Sequence, residues 1–128
     1  MIVDSSALLA LVLEEPDGTR VAHELSVNQC VMSAPNYFEA SIVMLRRQGT
    51  EAARAMKTLM ENSGIRIVPF DESLAVIALE AYKKYGRGSG HKASLNFGDC
   101  FSYALAKQRD EPLLAVGSEF EGVGVARA

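Results

Sequence analysis

The chain has 128 residues, of which 48% are hydrophobic and 23% are charged, and this balance predicts one globular domain spanning residues 1–128. The formal net charge of −3 argues against a protein that coats nucleic acid with bulk positive charge. Two isolated cysteines, and a longest apolar run of only Ala7 to Leu13, exclude a zinc fold, a disulfide scaffold and a membrane span, so we expect a cytoplasmic protein with no membrane contact.

The first third of the chain alternates short apolar segments with helical patterns. Met1 to Val3 is a predicted strand, and Asp4 then supplies the N-cap of a helix that runs towards Pro16. A weaker helix is predicted from Asp17 to about Val27. The apolar segment Cys30 to Ser33 predicts a second, buried strand.

Two helices are predicted in the middle of the chain. Pro35 stands in the first turn of a helix that ends at Gly49. Apolar side chains at i, i+4 and i+7 predict the core-facing side of this helix, which consists of Phe38, Ile42 and Leu45. Thr50 opens the next helix, which ends at Gly64.

The last part of the chain adds two strands, two helices and a basic loop. Ile65 to Phe70 is a predicted strand, and Asp71 caps a helix that runs through Tyr85. A glycine-rich loop follows. The end of this helix and the loop carry a cluster of basic side chains, which are Lys83, Lys84, Arg87, His91 and Lys92.

The final helix is predicted from Phe97 to about Arg109, opened by Asn96. Its predicted buried face consists of Phe97, Phe101, Ala104 and Leu105. Pro112 to Val116 is the last strand, and the tail to Arg127 is predicted to pair with the edge of the sheet. Strands separated by helices pair in parallel, so the predicted fold class is α/β, with three layers and one short parallel sheet.

Most acidic residues have a basic residue at helical spacing, which makes solvated ion pairs on a helix surface. These pairs are Glu51 with Arg54, Glu61 with Lys57, and Glu80 with Lys83 and Lys84. Asp4, Glu39 and Asp99 have no such cation and lie among apolar neighbours. We therefore treat these three carboxylates as candidate site residues.

Each of the three also has a structural explanation. Asp4 can cap the first helix, and Asp99 stands three residues after Asn96, as in a capping box. Glu39 can be a lone glutamate at the boundary of the core. From the residues alone, both interpretations stay open.

If the three carboxylates converge, their mutual repulsion requires protons or a divalent cation. Oxygen ligands without His or Cys favour a hard cation, Mg²⁺ or Mn²⁺, over zinc. Such a cation binds phosphate oxygens and activates water, so the chemistry it favours is phosphodiester hydrolysis.

Three segments of the chain carry a resemblance to a known family. They are Ile2-Val3-Asp4-Ser5-Ser6-Ala7-Leu8, Tyr37-Phe38-Glu39-Ala40 and Leu95-Asn96-Phe97-Gly98-Asp99-Cys100-Phe101-Ser102-Tyr103-Ala104. In order, spacing and total length, the chain resembles the PIN-domain ribonucleases, specifically the VapC-type toxins of toxin–antitoxin pairs. The resemblance spans essentially the whole chain.

The resemblance implies a three-layer α/β/α domain and a Mg²⁺-dependent endoribonuclease, with Mn²⁺ able to substitute. The catalytic, metal-binding acids would be Asp4, Glu39 and Asp99, and Ser6 would orient Asp4 or a water on the metal. The family's fourth acid is an aspartate in a Gly-x-Asp-Phe context, which here reads Gly117 to Phe120 with Glu119 in the acidic position. Glu119 is either a fourth ligand or part of a surface turn.

The resemblance also implies partners. These are an RNA substrate, a small antitoxin that blocks the acidic groove, and a second copy of the chain in a homodimer. The basic loop from Lys83 to Lys92 is a candidate for guiding the RNA backbone, against the alternative that it is a flexible, solvated loop.

Two other functions fit parts of the sequence. A catalytically degenerate PIN-like module would bind RNA or a protein partner without cutting, and the altered segment around Glu119 motivates this alternative. A receiver-type phosphoacceptor domain would need paired acids after the first strand and a lysine after the last, and the chain has only Asp4 and no such lysine.

Overall fold

The computed structural model describes all residues from 1 to 128 and contains six helices and four strands. In chain order they are β1 (Ile2–Val3), α1 (Ser5–Val12), α2 (Gly18–Val27), β2 (Val31–Ser33), α3 (Ala34–Gln48), α4 (Thr50–Asn62), β3 (Arg66–Val68), α5 (Glu72–Tyr85), α6 (Phe97–Arg109) and β4 (Leu113–Leu114). No helix combines the length and the apolar character needed to cross a membrane.

All four strands pair in parallel, in the order β3-β2-β1-β4. The chain builds outward from β1 to β3 and then crosses to the other side of β1 to add β4. The strand order therefore reverses between β1 and β4. In open parallel sheets, ligands bind at the carboxyl ends of the strands at such a reversal.

The helices cover both faces of the sheet. Successive strand residues enter opposite cores: Ile2 and Leu113 pack with α5 and α6, whereas Val3 and Leu114 pack with α1, α2, α3 and α4. This alternation follows from the two-residue side-chain period of a strand. The predicted α/β class with three layers and a short parallel sheet is confirmed.

Several local predictions are also confirmed. The helix-surface pairs form, with Nζ or guanidinium to carboxylate distances of 3.2 Å for Arg54–Glu51, 2.7 Å for Lys57–Glu61 and 3.2 Å for Lys83–Glu80. The tail pairs with the sheet edge, because Arg127 forms a bridge with Leu113. The strands are shorter than predicted, and β3 keeps only Arg66–Val68 because it is an edge strand.

The predicted core face of α3 is wrong, and that of α6 is wrong at one residue. On α3, Phe38 is 65% exposed and Leu45 is 51% exposed, while the buried side chains are Asn36, Ala40 and Met44. On α6, Phe97 is 78% exposed although the rest of the predicted face is buried or partly buried. The apolar pattern of α3 misled the prediction because its buried face contains a polar residue.

Candidate active site

One pocket of about 270 Å³ lies where β1 and β4 end. Its lining residues are Asp4, Ser5, Ser6, Leu9, Glu39, Val43, Asn96, Asp99, Val116, Glu119 and Phe120. The structure thus brings together all four of the acids that the sequence singled out, although they lie far apart along the chain. No Lys, Arg or His lines the pocket, so no basic side chain in the lining balances the negative charge of the carboxylates.

Asp4 lies at the base of this pocket and is 3% exposed. It follows β1 directly, and its N–H donates to the Leu114 carbonyl at 2.9 Å, which ties it to β4. Oδ2 accepts from the Ser6 N–H at 2.9 Å, as an N-cap should, and Oδ1 accepts from the Ser102 hydroxyl. The capping role and a position in the pocket coexist in one side chain.

Glu39 reaches the pocket from α3. Its Oε1 accepts from the Ser5 hydroxyl, at the start of α1. The carboxylate lies directly against Gly98 of α6, where a Cβ atom would overlap it. The glycine therefore leaves the space that the Glu39 carboxylate occupies.

Asp99 sits in the first turn of α6 and forms the predicted capping box with Asn96. Its Oδ2 accepts from the Asn96 N–H at 2.9 Å, and its own N–H donates to Asn96 Oδ1 at 2.9 Å. Burial raises the pKa of Asp99 from 3.8 to about 6. Burial is the largest cause of this shift; the charges of Asp4, Glu119 and Glu39 also contribute to the raised pKa, and the hydrogen bond from the Asn96 N–H opposes it.

The other two predicted residues lie on the β4 side of the pocket. The Ser6 hydroxyl accepts from the Val116 N–H at 3.0 Å, while its backbone N–H holds Asp4. Glu119 is exposed at the rim, and its carboxylate folds back over Gly117, which has a φ of 99°. Ser6 thus connects the start of α1 to the chain segment that carries Glu119.

Sequence reasoning missed three polar side chains at the base of the site. Ser5 donates to Glu39, while Asn36 and Ser102 form a buried cluster behind Asp4. Helical spacing offered a signal: Asn36 precedes Glu39 by three residues and Ser102 follows Asp99 by three, so each shares a helix face with an acid.

The donor set fits a hard divalent cation, because it consists of carboxylate oxygens without His or Cys. As the side chains stand, however, no three of them are arranged to hold a metal ion. The Glu39 carboxylate accepts a hydrogen bond from the Ser5 hydroxyl, and the Asp99 carboxylate accepts one from the Asn96 N–H. Binding an ion by three of these acids therefore requires side-chain movement within the pocket.

Without metal, the protein should become more stable as the pH falls from about 7.5 to about 5.5. The raised pKa of Asp99 means that the folded protein binds this proton more tightly than the unfolded chain does. The ionised Asp99 carboxylate therefore destabilises the folded state above about pH 6, and this destabilisation disappears as the pH falls towards 3.8. Glu111 and Asp71 have lowered pKa values, and their stabilisation is lost only below their ordinary values of 4.5 and 3.8. Urea denaturation in EDTA measures the free energy of unfolding at each pH, and Asp99→Asn should reduce its dependence on pH. A wild-type urea midpoint that decreases as the pH is lowered over this interval would contradict the prediction.

The family assignment rests on a match along nearly the full chain. The PIN domain family matches residues 1–126. The chain belongs to the PIN-domain family. This confirms the resemblance of the chain to the PIN-domain family.

Individual relatives extend this result. Ribonuclease VapC28 of Mycobacterium tuberculosis is 45% identical over 130 residues, which cover 100% of this chain and 97% of the relative. The fold is similar to the crystal structure of Mycobacterium tuberculosis VapC20, described as a sarcin-ricin loop cleaving toxin, with a TM-score of 0.78, 18% identity and coverage of 99% and 97%. It is also similar to a toxin–antitoxin complex from Klebsiella pneumoniae, with a TM-score of 0.73, 16% identity and coverage of 99% and 95%.

Proposed function

We propose that this protein is a divalent-metal-dependent endoribonuclease that acts as the toxin of a type II toxin–antitoxin pair. The observation that carries the proposal is the pocket of four carboxylates with no basic lining residue, at the strand-order reversal of a PIN domain. The relative VapC28, which is named a ribonuclease, supports the activity. Residues 1–128 would act as one domain, in the cytoplasm where RNA is available.

Asp4, Glu39 and Asp99 are the proposed catalytic metal ligands, with Glu119 as a fourth ligand from the rim. Mg²⁺ is the proposed ion, and Mn²⁺ should substitute because it accepts the same oxygen ligands. When bound, the ion balances the carboxylate charges, activates water and stabilises the charge that develops on the phosphate. The raised pKa of Asp99 fits this assignment, because a cation favours the ionised form that the buried site otherwise disfavours.

The basic loop between α5 and α6 is proposed to guide the RNA backbone. None of its basic residues lines the acidic pocket, so the loop does not neutralise the site. It is anchored beside α6, because the Leu95 N–H donates to the Tyr85 carbonyl at 2.8 Å and the Arg87 N–H donates to the Leu95 carbonyl at 3.1 Å. Exposed cations held next to an active site position phosphates without reading sequence.

A small antitoxin is the proposed protein partner. The pocket offers four acids and no basic residue, so a Lys or Arg side chain of an antitoxin would complement it and occupy the place of the metal. The similarity in fold to a chain of a toxin–antitoxin complex is consistent with this partner.

A second copy of the chain is the proposed occupant of the apolar face of α5 and α6. A groove of about 540 Å³ opens there, and eight of its ten lining residues are hydrophobic. At the groove Phe97 is 78% exposed and Leu79 is 60% exposed. Exposed apolar patches of this kind mark protein interfaces, and homodimer interfaces are the more apolar ones.

The alternatives from the sequence are weaker. The PIN-domain match leaves no support for a receiver domain. A degenerate PIN module remains a distinct outcome of experiment, but the pocket retains all four acids and so does not favour it.

Purified protein should cut RNA in Mg²⁺ or Mn²⁺ and stop cutting when EDTA removes the metal, because without the cation nothing activates water or stabilises charge on the phosphate. Gel analysis of a structured RNA with both ions, with EDTA, and with Mn²⁺ restored after EDTA measures this. Failure to bind millimolar Mn²⁺ would favour the degenerate module. Cleavage that persists in EDTA would overturn the metal dependence.

A further inference from the structure

Behind the acidic pocket lie two polar side chains, Asn36 of α3 and Ser102 of α6, that are both completely buried. Asn36 is one turn from Glu39, and Ser102 is one turn from Asp99. The carboxylates thus face the pocket, while the two neutral side chains lie deeper between the helices. Buried polar groups of this kind are costly unless they are hydrogen bonded.

The contacts of this pair converge on Asp4. Asn36 Nδ2 donates to the Gly98 carbonyl at 3.0 Å, which fixes the amide so that its Oδ1 faces Ser102. The Ser102 hydroxyl lies 2.9 Å from Asn36 Oδ1 and also contacts Asp4 Oδ1. The hydroxyl carries one proton, and an ionised carboxylate is the stronger acceptor, so the proton goes to Asp4.

The two donors to Asp4 determine which way its carboxylate faces. A carboxylate has about four lone-pair sites. Ser102 uses one on Oδ1 and the Ser6 N–H uses one on Oδ2, which leaves one site on each oxygen for the pocket. The Asp4 carboxylate is therefore held by protein donors on two sides before any ligand binds.

We propose that Ser102 is a positioning residue, whose hydroxyl holds the Asp4 carboxylate in the orientation that binds the metal. This inference rests on the proposed function, since it concerns how a proposed ligand is presented to the ion. The Glu39 and Asp99 carboxylates each accept from one protein donor, whereas that of Asp4 accepts from two. Asp4 is therefore the anchor of the site, and Ser102 is the side chain that fixes it. Outer partners of metal ligands contribute about 10–100-fold to metal affinity or activity.

The test is direct Mn²⁺ binding by calorimetry, together with the metal dependence of RNA cleavage. Ser102→Ala should weaken Mn²⁺ binding about 10-fold or more. The cleavage rate at saturating Mn²⁺ should change far less than the Mn²⁺ concentration needed for half the maximal rate. Ser41→Ala is the matched control, because Ser41 also lies on a helix but its hydroxyl donates to the Tyr37 carbonyl, away from Asp4.

A second pair of variants separates positioning from packing. Ser102→Thr and Ser102→Val have the same shape and add the same bulk, so they share any defect caused by the added bulk and differ in the hydroxyl. Urea denaturation of both variants checks that each folds. The threonine variant should bind Mn²⁺ more tightly than the valine variant by the same factor of about 10. If the wild type binds no Mn²⁺, the proposed function itself fails. If the wild type binds Mn²⁺ and Ser102→Ala binds it equally well, or the Thr and Val variants do not differ, only the positioning role is overturned.

Discussion

Asp4→Asn should lower RNA cleavage at least about 100-fold while the domain stays folded. Asparagine is as good an N-cap as aspartate, so the bond from the Ser6 N–H and the start of α1 are preserved. The substitution removes the negative charge and a ligand oxygen from the fixed anchor of the site. Loss of an outer partner of a metal ligand already costs about 10–100-fold, and loss of the ligand should cost more.

Circular dichroism and urea denaturation check that Asp4→Asn folds, and RNA cleavage in Mn²⁺ measures the loss. Asp110→Asn is the matched control. Asp110 is exposed, lies away from the pocket and has a left-handed backbone that asparagine accepts readily. Cleavage by Asp4→Asn within a few fold of the control would show that Asp4 is not a ligand.

Local chemistry was predictable from the sequence where a few neighbouring residues decide it. The capping box of Asn96 and Asp99 depends on two side chains three residues apart, and both of its bonds form. The N-cap of Asp4 is equally local. These elements follow from spacing alone, because the partners are brought together by a single helix turn.

The inward face of α3 was not predictable from apolar periodicity. Phe38 and Leu45 follow the helical period but are exposed, and the buried face carries Asn36 instead. Asn36 is tolerated there because the Gly98 carbonyl of α6 accepts from its amide, while Ser102 of α6 packs beside it. Since those partners come from a segment about sixty residues away, only the packing of α3 against α6 reveals them.

Convergence of the acids depends on the strand order. Asp4 and Glu119 come together because β4 adds next to β1 rather than beside β3, and no local pattern specifies that choice. The resemblance to the PIN-domain family supplied the grouping instead. Neither source predicted that Glu39 accepts from the Ser5 hydroxyl, because this bond joins two helices and depends on side-chain torsions.

Gly98→Ala should reduce RNA cleavage about 100-fold with little change in stability. A Cβ atom at this position overlaps the Glu39 carboxylate, which is the mobile end of a flexible side chain and will rotate away. The rotation removes the bond from Ser5 and displaces a proposed ligand, and misplacement of a catalytic group by about 1 Å can cost 10²-fold. The loss of the hydrogen bond between Ser5 and Glu39 is offset by the higher helix propensity of alanine, which stabilises the helix by up to about 1 kcal/mol.

The mechanism of this loss is testable with a double-mutant cycle. If Gly98→Ala acts by displacing Glu39, it should cost almost nothing more in a Glu39→Ala background, where no carboxylate remains to be displaced. Cleavage rates of the wild type, both single variants and the double variant measure the coupling, and urea midpoints check that all four fold. Losses that multiply would show that the glycine acts through the backbone of α6 and not through Glu39. Full activity of Gly98→Ala would show that the position of the Glu39 carboxylate against Gly98 is not needed for cleavage, because the carboxylate cannot stay in place beside a Cβ atom at position 98.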